Sequence, residues 1–272
     1  MSSTPWHDFR PSPRARIGAY GAMVVAPLLL GLAGWSAWAG GLAAAAAFGA
    51  IGLWFAHVAG LGATLWLRPH RRSRALPAPA PIDDGSPGLT FRYSWWAYYW
   101  QGAVLVLTSA PFLLLGLAGL TSGDTAEAVF GAVLVAGALL LLAVLFRVLR
   151  HAPGRLSLTP AGVYHRGPGG GRFVPWDAVL DVRADGTGAQ PTIEVRAAPS
   201  DRSRSGTRKD NRSRFTARRA ERSTALTVPA AWPAAAPETV YRTLRHYLRH
   251  PADRGELSGV AAVARVRQQR LN

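Results

Sequence analysis

Few residues in this chain have the types and spacing that chemistry requires. His57 is the only ionisable residue in an apolar stretch running from Gly41 to Leu67. At membrane depth such a residue is by default a candidate for a proton or ion path. A path needs several polar groups, and the apolar stretches of this chain contain no Asp, Glu, Lys or Arg. His57 therefore reads as a neutral residue that hydrogen-bonds between helices, with hydroxyls such as Thr108 and Ser109 as available partners. Cysteine is absent, which removes disulfides, a thiol nucleophile and Cys-ligated zinc. Neither H-E-x-x-H nor G-x-S-x-G occurs, and no Cys/His ligand set can be assembled. Gly167 to Gly171 resembles a phosphate loop only in its glycines. It lacks the following Lys-Ser/Thr and a strand-to-helix setting, so a hairpin turn is expected. The expectation is a protein without catalytic residues, metal or cofactor.

A second group of residues can do electrostatic work. The run from Asp201 to Arg222 reads DRSRSGTRKDNRSRFTARRAER, with Phe215 its only large apolar residue. Such a composition cannot bury a core and is expected to be disordered on its own. Arg202, Arg204, Arg208, Lys209, Arg212, Arg214, Arg218, Arg219 and Arg222 are candidates for contact with anionic lipid headgroups, worth about 1 kcal/mol per basic residue near a membrane surface. Nucleic-acid phosphate attracts the same charges. Stacking aromatics and an ordered nucleic-acid-binding fold are missing, so nucleic acid is disfavoured. A solvated loop with no ligand suits the same residues.

The elements that position these groups follow from hydropathy. A membrane helix needs about 20 largely apolar residues. Four uncharged segments meet that length: Ile17 to Trp38, Gly41 to Leu67, Gln101 to Leu120 and Ala128 to Phe146. Arginine placement orients them. Arg10, Arg14 and Arg16 precede the first span, Arg68, Arg71, Arg72, Arg74 and Arg92 lie between the second and third, and the remaining basic residues begin at Arg147. The two other connections carry no Lys or Arg, and the second holds Asp124 and Glu127. All 31 basic residues thus fall on one side, expected to be the cytoplasm, with both termini there and the chain in the plasma membrane. Trp35, Trp38 and Trp66 sit at span ends, as interfacial aromatics do. Trp95, Trp96, Tyr98, Tyr99 and Trp100 precede the third span, where an amphipathic segment along the headgroups is expected.

Residues 1–39 imitate a signal peptide, with arginines, an apolar run and Ala37-Trp38-Ala39. The apolar run is too long for that and another span follows at once, which favours an uncleaved helical hairpin. Within the second span Gly52, Ala56, Gly60 and Thr64 recur every four residues, a small-residue face that lets a neighbouring backbone approach. It suits the internal bundle and a homo-oligomer equally.

After Gly154 the pattern changes. Arg155 to Thr159 alternates as a half-buried strand does, Pro160-Ala161-Gly162 turns the chain, and Val163 to Arg166 reads as a second strand. Further strands are expected at Arg172 to Val174, Ala178 to Arg183, Thr192 to Arg196 and Leu226 to Pro229. Val240, Leu244 and Leu248 then mark one face of a helix that Pro251 stops. A basic tail, residues 251–272, has Val260, Val263 and Ala264 opposed to Arg265, Gln268 and Gln269. It is expected to lie on the membrane or against a partner helix, or to fray.

The runs LSLTPAGVYHR, RFVPWDAVLDV and TIEVR followed by a C-terminal helix resemble the bacterial pleckstrin-homology-like (PH-like) domains appended to membrane helices in many actinobacterial proteins. The resemblance covers roughly residues 154–250. It implies a seven-strand curved sheet capped by a helix and used for lipid or protein contacts. In that setting Trp176 is a packing residue and Asp177 a turn or capping residue, with a ligand-contacting pair as the alternative. The long basic insertion departs from the pattern. The expected architecture is thus a four-helix transmembrane region, residues 1–150, and a small mostly-β PH-like domain with a C-terminal helix. The expected role is an interaction module for a protein partner or anionic membrane lipids, against a transporter or channel accessory subunit or a membrane-embedded enzyme.

Overall fold

The computed structural model describes residues 13–67, 75–167, 170–185, 191–199, 204–205 and 225–271. They divide into two compact units, one of helices and one of sheets.

The helical unit holds α1 (Pro13–Trp38), α2 (Leu42–Gly62), α3 (Trp95–Leu120) and α4 (Thr125–Arg150), and α2 ends in a π-helical turn, Ala63–Leu67. All four are long and apolar enough to cross a membrane. Their order of packing follows the chain, α1 on α2, α2 on α3 and α3 on α4. The α1–α2 reversal passes through Gly40 and the α3–α4 reversal through Gly123, both at positive φ, where glycine carries no steric cost. Asp124 Oδ1 accepts from the backbone N–H groups of Ala126 (2.6 Å) and Glu127 (3.2 Å), capping the start of α4.

Glycines set how closely the helices pack. A Cβ on Gly131 of α4 would lie 2.6 Å from the Gly116 carbonyl oxygen of α3, and one on Gly119 would lie 2.7 Å from that of Glu127. Helix backbones therefore touch at this crossing, the close approach that stabilises apolar helix pairs where no hydrophobic force acts between them.

The third helix starts earlier than hydropathy indicated. The aromatic segment Trp95 to Trp100, expected to lie separately along the headgroups, is the first turn and a half of α3. Its rings are held by α2: a Cβ on Gly60 would sit 2.7 Å from the Trp100 ring, and Trp100 meets the His57 ring edge-on at 5.3 Å. Tyr98 is buried.

The sheet unit is built on two antiparallel sheets. The larger has the order β1 (Ala78–Pro81), β2 (Pro87–Arg92), β3 (Arg155–Leu158), β4 (Gly162–Gly167), β5 (Gly170–Pro175) and β8 (Arg204–Ser205). The smaller has the order β6 (Val179–Asp185), β7 (Thr192–Ala197) and β9 (Ala225–Pro229). Helix α5 (Pro237–Arg249) packs on β6 and is followed by a 3-10 helix, Pro251–Ser258, and by α6 (Val260–Arg267). Leu89, Leu156, Leu158, Val163, Ile193, Val195, Val228, Val240 and Leu244 are wholly buried, so inward-facing residues of both sheets and the helix share the core.

Two expectations need correcting here, and a third falls mostly outside the described residues. The sheet domain does not begin at residue 154, because β1 and β2 come from the segment between α2 and α3. That segment reads as a loop by its prolines, yet Leu89, Thr90 and Phe91 are buried against β3. The tail is not a separate basic appendage. Leu257 and Ala262 are fully buried, the 3-10 helix packs on β2 and α6 on β1. Its buried face is Ala262 and Val266, while Val260 is 75% exposed. The basic insertion 201–222 lies outside the described residues except for Arg204 and Ser205, which form β8 and pair with Phe173 and Arg172 of β5.

Candidate functional site

The sheet unit carries a groove of about 970 Å³. One wall comes from the β1–β2 turn and from β4. Asp83, in that turn, accepts from the Tyr164 hydroxyl and from the Arg155 guanidinium, and Arg166 reaches it at 3.3 Å. Neighbouring strands place these residues, since Arg155 and Arg166 are register partners on β3 and β4. Arg155 also donates to the Pro81 carbonyl (3.0 Å) and lies 5.9 Å from the Tyr164 ring centre. Burial alone would raise the Asp83 carboxyl. The Tyr164 hydroxyl and the two guanidiniums outweigh it and hold the carboxyl below its usual value. Burial and the Asp83 charge push the Tyr164 hydroxyl up to about 12, so it remains a donor at neutral pH. A Cβ on Gly171 of β5 would lie 2.5 Å from the Tyr164 oxygen, so a side chain there would displace the hydroxyl.

The facing wall is Trp176, in the turn after β5, and Arg254, in the 3-10 helix. The Trp176 indole N–H donates to the Thr159 carbonyl (2.8 Å) and the side chain is only 4% exposed. The Arg254 guanidinium lies 5.0 Å from the Trp176 ring centre, a cation–π contact. It donates to the carbonyls of Tyr247 (2.8 Å) and Leu248 (3.2 Å), both in the last turn of α5, where carbonyls lack helical partners. Burial lowers its pKa. Among the described residues Arg254 meets two carbonyls, one ring and no carboxylate. Phe173, Pro160, Ile82 and Pro175 line the groove with apolar surface, and Asp84, Asp177 and His151 complete it.

A polar clasp beside the groove fixes Arg254 in place. His246 on α5, only 5% exposed in its side chain, meets Asp253 at 3.0 Å, and Arg265 on α6 reaches Asp253 at 3.4 Å and Glu256 at 3.1 Å. The Tyr247 hydroxyl donates to Glu256 at 2.7 Å. Burial and then Glu256 push the Tyr247 pKa up, while Glu256 itself is held down because the Arg265 and Tyr247 hydrogen bonds outweigh burial. The clasp ties the stretch 251–267 to α5.

The residues singled out in the sequence are distributed otherwise. Trp176 and Asp177 do line the groove, Trp176 as a buried part of its wall and Asp177 as an exposed residue. His57 sits in the helical unit, its Nδ1 2.8 Å from the Leu53 carbonyl oxygen and its Nε2 3.4 Å from the Tyr99 hydroxyl. The hydroxyl of Thr108, expected as a His57 partner, instead accepts from the Trp54 indole (2.8 Å), and Ser109 bonds its own helix at Val106. Gly52 and Gly60 face different neighbours, Leu30 of α1 and Trp100 of α3, and Thr64 returns to the Gly60 carbonyl. All of these contacts lie inside the helical unit. The candidate lipid-contacting side chains from Arg202 to Arg222 lie outside the described residues, with only the backbone of Arg204 placed.

Asp83, Arg155, Tyr164, Arg166 and Arg254 were missed. Alternation could have flagged Tyr164 and Arg166 as same-face residues of one strand, but nothing in the order of residues links them to Asp83 or Arg254. No group of three or more His, Cys, Asp or Glu placed to hold a metal occurs among the described residues. No family model matches the chain, and no curated protein or solved structure is detectably similar to it.

Proposed function

We propose that this chain is a multi-pass plasma-membrane protein with both termini in the cytoplasm, whose sheet unit is a PH-like interaction module for a protein partner. The observation that carries the reading is the groove: a recess lined by the guanidiniums of Arg166 and Arg254, the carboxylates of Asp83, Asp84 and Asp177, and apolar side chains. It is concave, as binding sites are, and sets charged groups of both signs among apolar side chains. Two antiparallel sheets with an amphipathic helix packed on β6 suit the PH-like assignment. The strands β1 and β2 and the clasped stretch 251–267 are additions to that plan. The orientation rests on arginine placement and on sheet pairing. Residues 87–92 and 155–158 are hydrogen-bonded strands, so the chain between α2 and α3 and the chain after α4 lie on one side of any membrane the helices cross. No catalytic step is assigned.

Anionic lipid is the second ligand class, favoured by the basic composition of residues 201–222. Photo-cross-linking in cells separates the two. A diazirine side chain replacing Asp177, an exposed residue of the groove, is expected to give a protein-sized adduct on irradiation, whereas one replacing Gly255 is not. An adduct of lipid mass at position 177 would move the ligand to the membrane. Absence of any adduct from positions 177, 84 and 160 would contradict the module.

A further inference from the structure

We propose that one end of the sheet unit is an anchor for anionic lipid of the cytoplasmic leaflet, with Arg92 and Arg155 meeting headgroup phosphates and Trp232 lying at headgroup level beside them. This rests on the reading of the chain as a multi-pass membrane protein and is independent of what the groove takes.

Three stretches far apart in the chain meet at this end. The Ser94 backbone N–H donates to the Trp232 carbonyl (2.8 Å), the Ala234 N–H to the Arg92 carbonyl (2.9 Å) and the Tyr93 N–H to the Gly154 carbonyl (3.0 Å). Tyr93 also forms a β-bridge with Pro233, and its ring centre lies 5.9 Å from that of Trp232. Ser94 is bonded to Trp95, the first residue of α3, and Gly154 comes shortly after Arg150, the last residue of α4. A chain spans at most about 3.6 Å per residue, so Arg92 lies within about 11 Å of the start of α3. The 26 residues of α3 measure about 39 Å against about 30 Å of hydrocarbon, which leaves its aromatic start, Trp95 to Trp100, in the headgroup layer. Two covalent tethers therefore hold this end of the sheet unit by the leaflet. Its hydrogen bonds bring Trp232 there too, although Trp232 is far along the chain from any apolar helix.

The charges of this end match that surface. Arg92, Arg155 and Arg166 are register partners across β2, β3 and β4, so they share one face of the sheet. Like charges directly opposite one another repel. Asp83 answers Arg155 and Arg166, and Arg92 is the exposed third member of the row. The stretches that build this end, residues 85–94, 151–158 and 225–234, contain no Asp or Glu. Arg147 and Arg150, in the last turn of α4, precede it in the chain. Guanidiniums tethered at a leaflet attract anionic lipid, and an indole is the side chain that seats at headgroup depth. An acidic protein would meet the same charges, but lipid phosphates are already within reach of the tethers.

The test uses the full chain in nanodiscs of phosphatidylcholine with a minor share of phosphatidylglycerol. Bromine is carried either by the phosphatidylglycerol or by an equal amount of the phosphatidylcholine, so only the headgroup of the quencher changes. The chain has no cysteine, so Ala231→Cys labelled with the fluorophore NBD reports from beside Trp232. Ala161→Cys, in the exposed β3–β4 turn at the other end of β3 from Arg155, and Gly34→Cys in α1 are the references. The label at 231 should be quenched and the label at 161 should not. Brominated phosphatidylglycerol should quench at 231 about twofold or more over brominated phosphatidylcholine, a preference that weakens with added salt. Arg92→Glu should abolish the preference and Arg92→Lys should retain most of it. The Arg92 side chain is exposed and only its backbone holds Ala234, so these variants leave the fold intact. Replacing the basic residues from Arg208 to Arg222 by Gln should leave the preference in place. The proposal is overturned if 231 is quenched no more than 161, if the two brominated lipids quench 231 alike, or if the preference survives Arg92→Glu. Quenching at 34 with none at 231 removes the proposal alone, whereas no quenching at 34 by either lipid removes the membrane reading and the proposal with it.

Discussion

Leu89, between α2 and α3, lies directly opposite Leu158, beyond α4, in neighbouring antiparallel strands, and both are wholly buried. The pairing makes one folded unit from two stretches of chain that 26-residue helices α3 and α4 separate. If the four apolar helices cross a membrane as proposed, both stretches must lie on the same side of it, because a sheet core cannot be divided by a bilayer.

The next register pair offers a covalent test. Thr90 and Ser157 are partners whose side-chain oxygens are 2.8 Å apart, both buried. Residues directly opposite in an antiparallel pair have Cβ atoms about 4.5–5.5 Å apart, close to what a disulfide needs. The chain has no cysteine of its own, so Thr90→Cys with Ser157→Cys gives a single pair. With a protease site placed in the α3–α4 turn, mild oxidation should keep the two fragments joined until reductant is added. Fragments that separate without reductant would refute the pairing.

The α3–α4 crossing predicts a sharp difference between glycines. Gly131→Val places atoms where the Gly116 carbonyl already sits, whereas Gly34→Val meets nothing within 4 Å. Overpacking of this kind costs about 1–3 kcal/mol or more. The apparent melting temperature in detergent should fall for Gly131→Val and stay near the parent for Gly34→Val.

Leu257 should matter to the sheet unit although it lies in what reads as a polar tail. It is fully buried, and Leu→Ala at such positions costs about 2–5 kcal/mol. A chain ending at residue 250 also loses Asp253, Arg254 and Glu256, leaving His246 and the Tyr247 hydroxyl without the clasp. Limited proteolysis should find β9 and α5 protected in the parent and cleaved in both variants.

His165 gives the unit a pH dependence. Its Nε2 accepts from the Tyr93 hydroxyl (2.5 Å), and burial followed by the Arg172 charge lowers its pKa to about 4. Because the folded-state pKa lies below the unfolded value of 6.5, the unfolded chain binds a proton first. Stability therefore falls as pH drops from about 6.5 and levels off below about 4, by at most about 3 kcal/mol. Asp83 acts at the lower end of the scale. Its depressed pKa contributes stability above the ordinary carboxylate range that is lost as acid protonates it. Melting temperatures at pH 7 and 5 should differ in the parent and converge in His165→Gln. An unchanged pH difference in that variant would remove His165 as the cause.

How much of this was legible in the sequence depends on the range of the interactions. The four apolar helices read directly, because uncharged runs of helical length are a local property. The strands from Arg155 to Val195 and the face Val240, Leu244 and Leu248 also read directly, since alternation and helical periodicity are local. β1 and β2 did not. Ala78-Pro79-Ala80-Pro81 has the composition of a linker and is tolerated only because β1 is an edge strand, where a missing N–H costs nothing. The tail misled for a similar reason, its buried Ala262 and Val266 being too small and too far apart to mark a face. Of the groove, only Trp176 and Asp177 were visible. Asp83, Tyr164 and Arg166 meet across more than 80 residues, and Arg254 joins Trp176 through the fold alone.

The central claim, a single cytoplasmic unit built from both stretches, is tested most directly by cysteine labelling in intact cells with a membrane-impermeant maleimide. Ser86 lies in the β1–β2 turn, Ser258 at the end of the 3-10 helix and Ser122 in the α3–α4 turn. With one cysteine introduced at a time, S122C should label in intact cells, and S86C and S258C only after the membrane is permeabilised. Labelling of S86C or S258C from outside, or of S86C and S258C on opposite sides, would contradict the account.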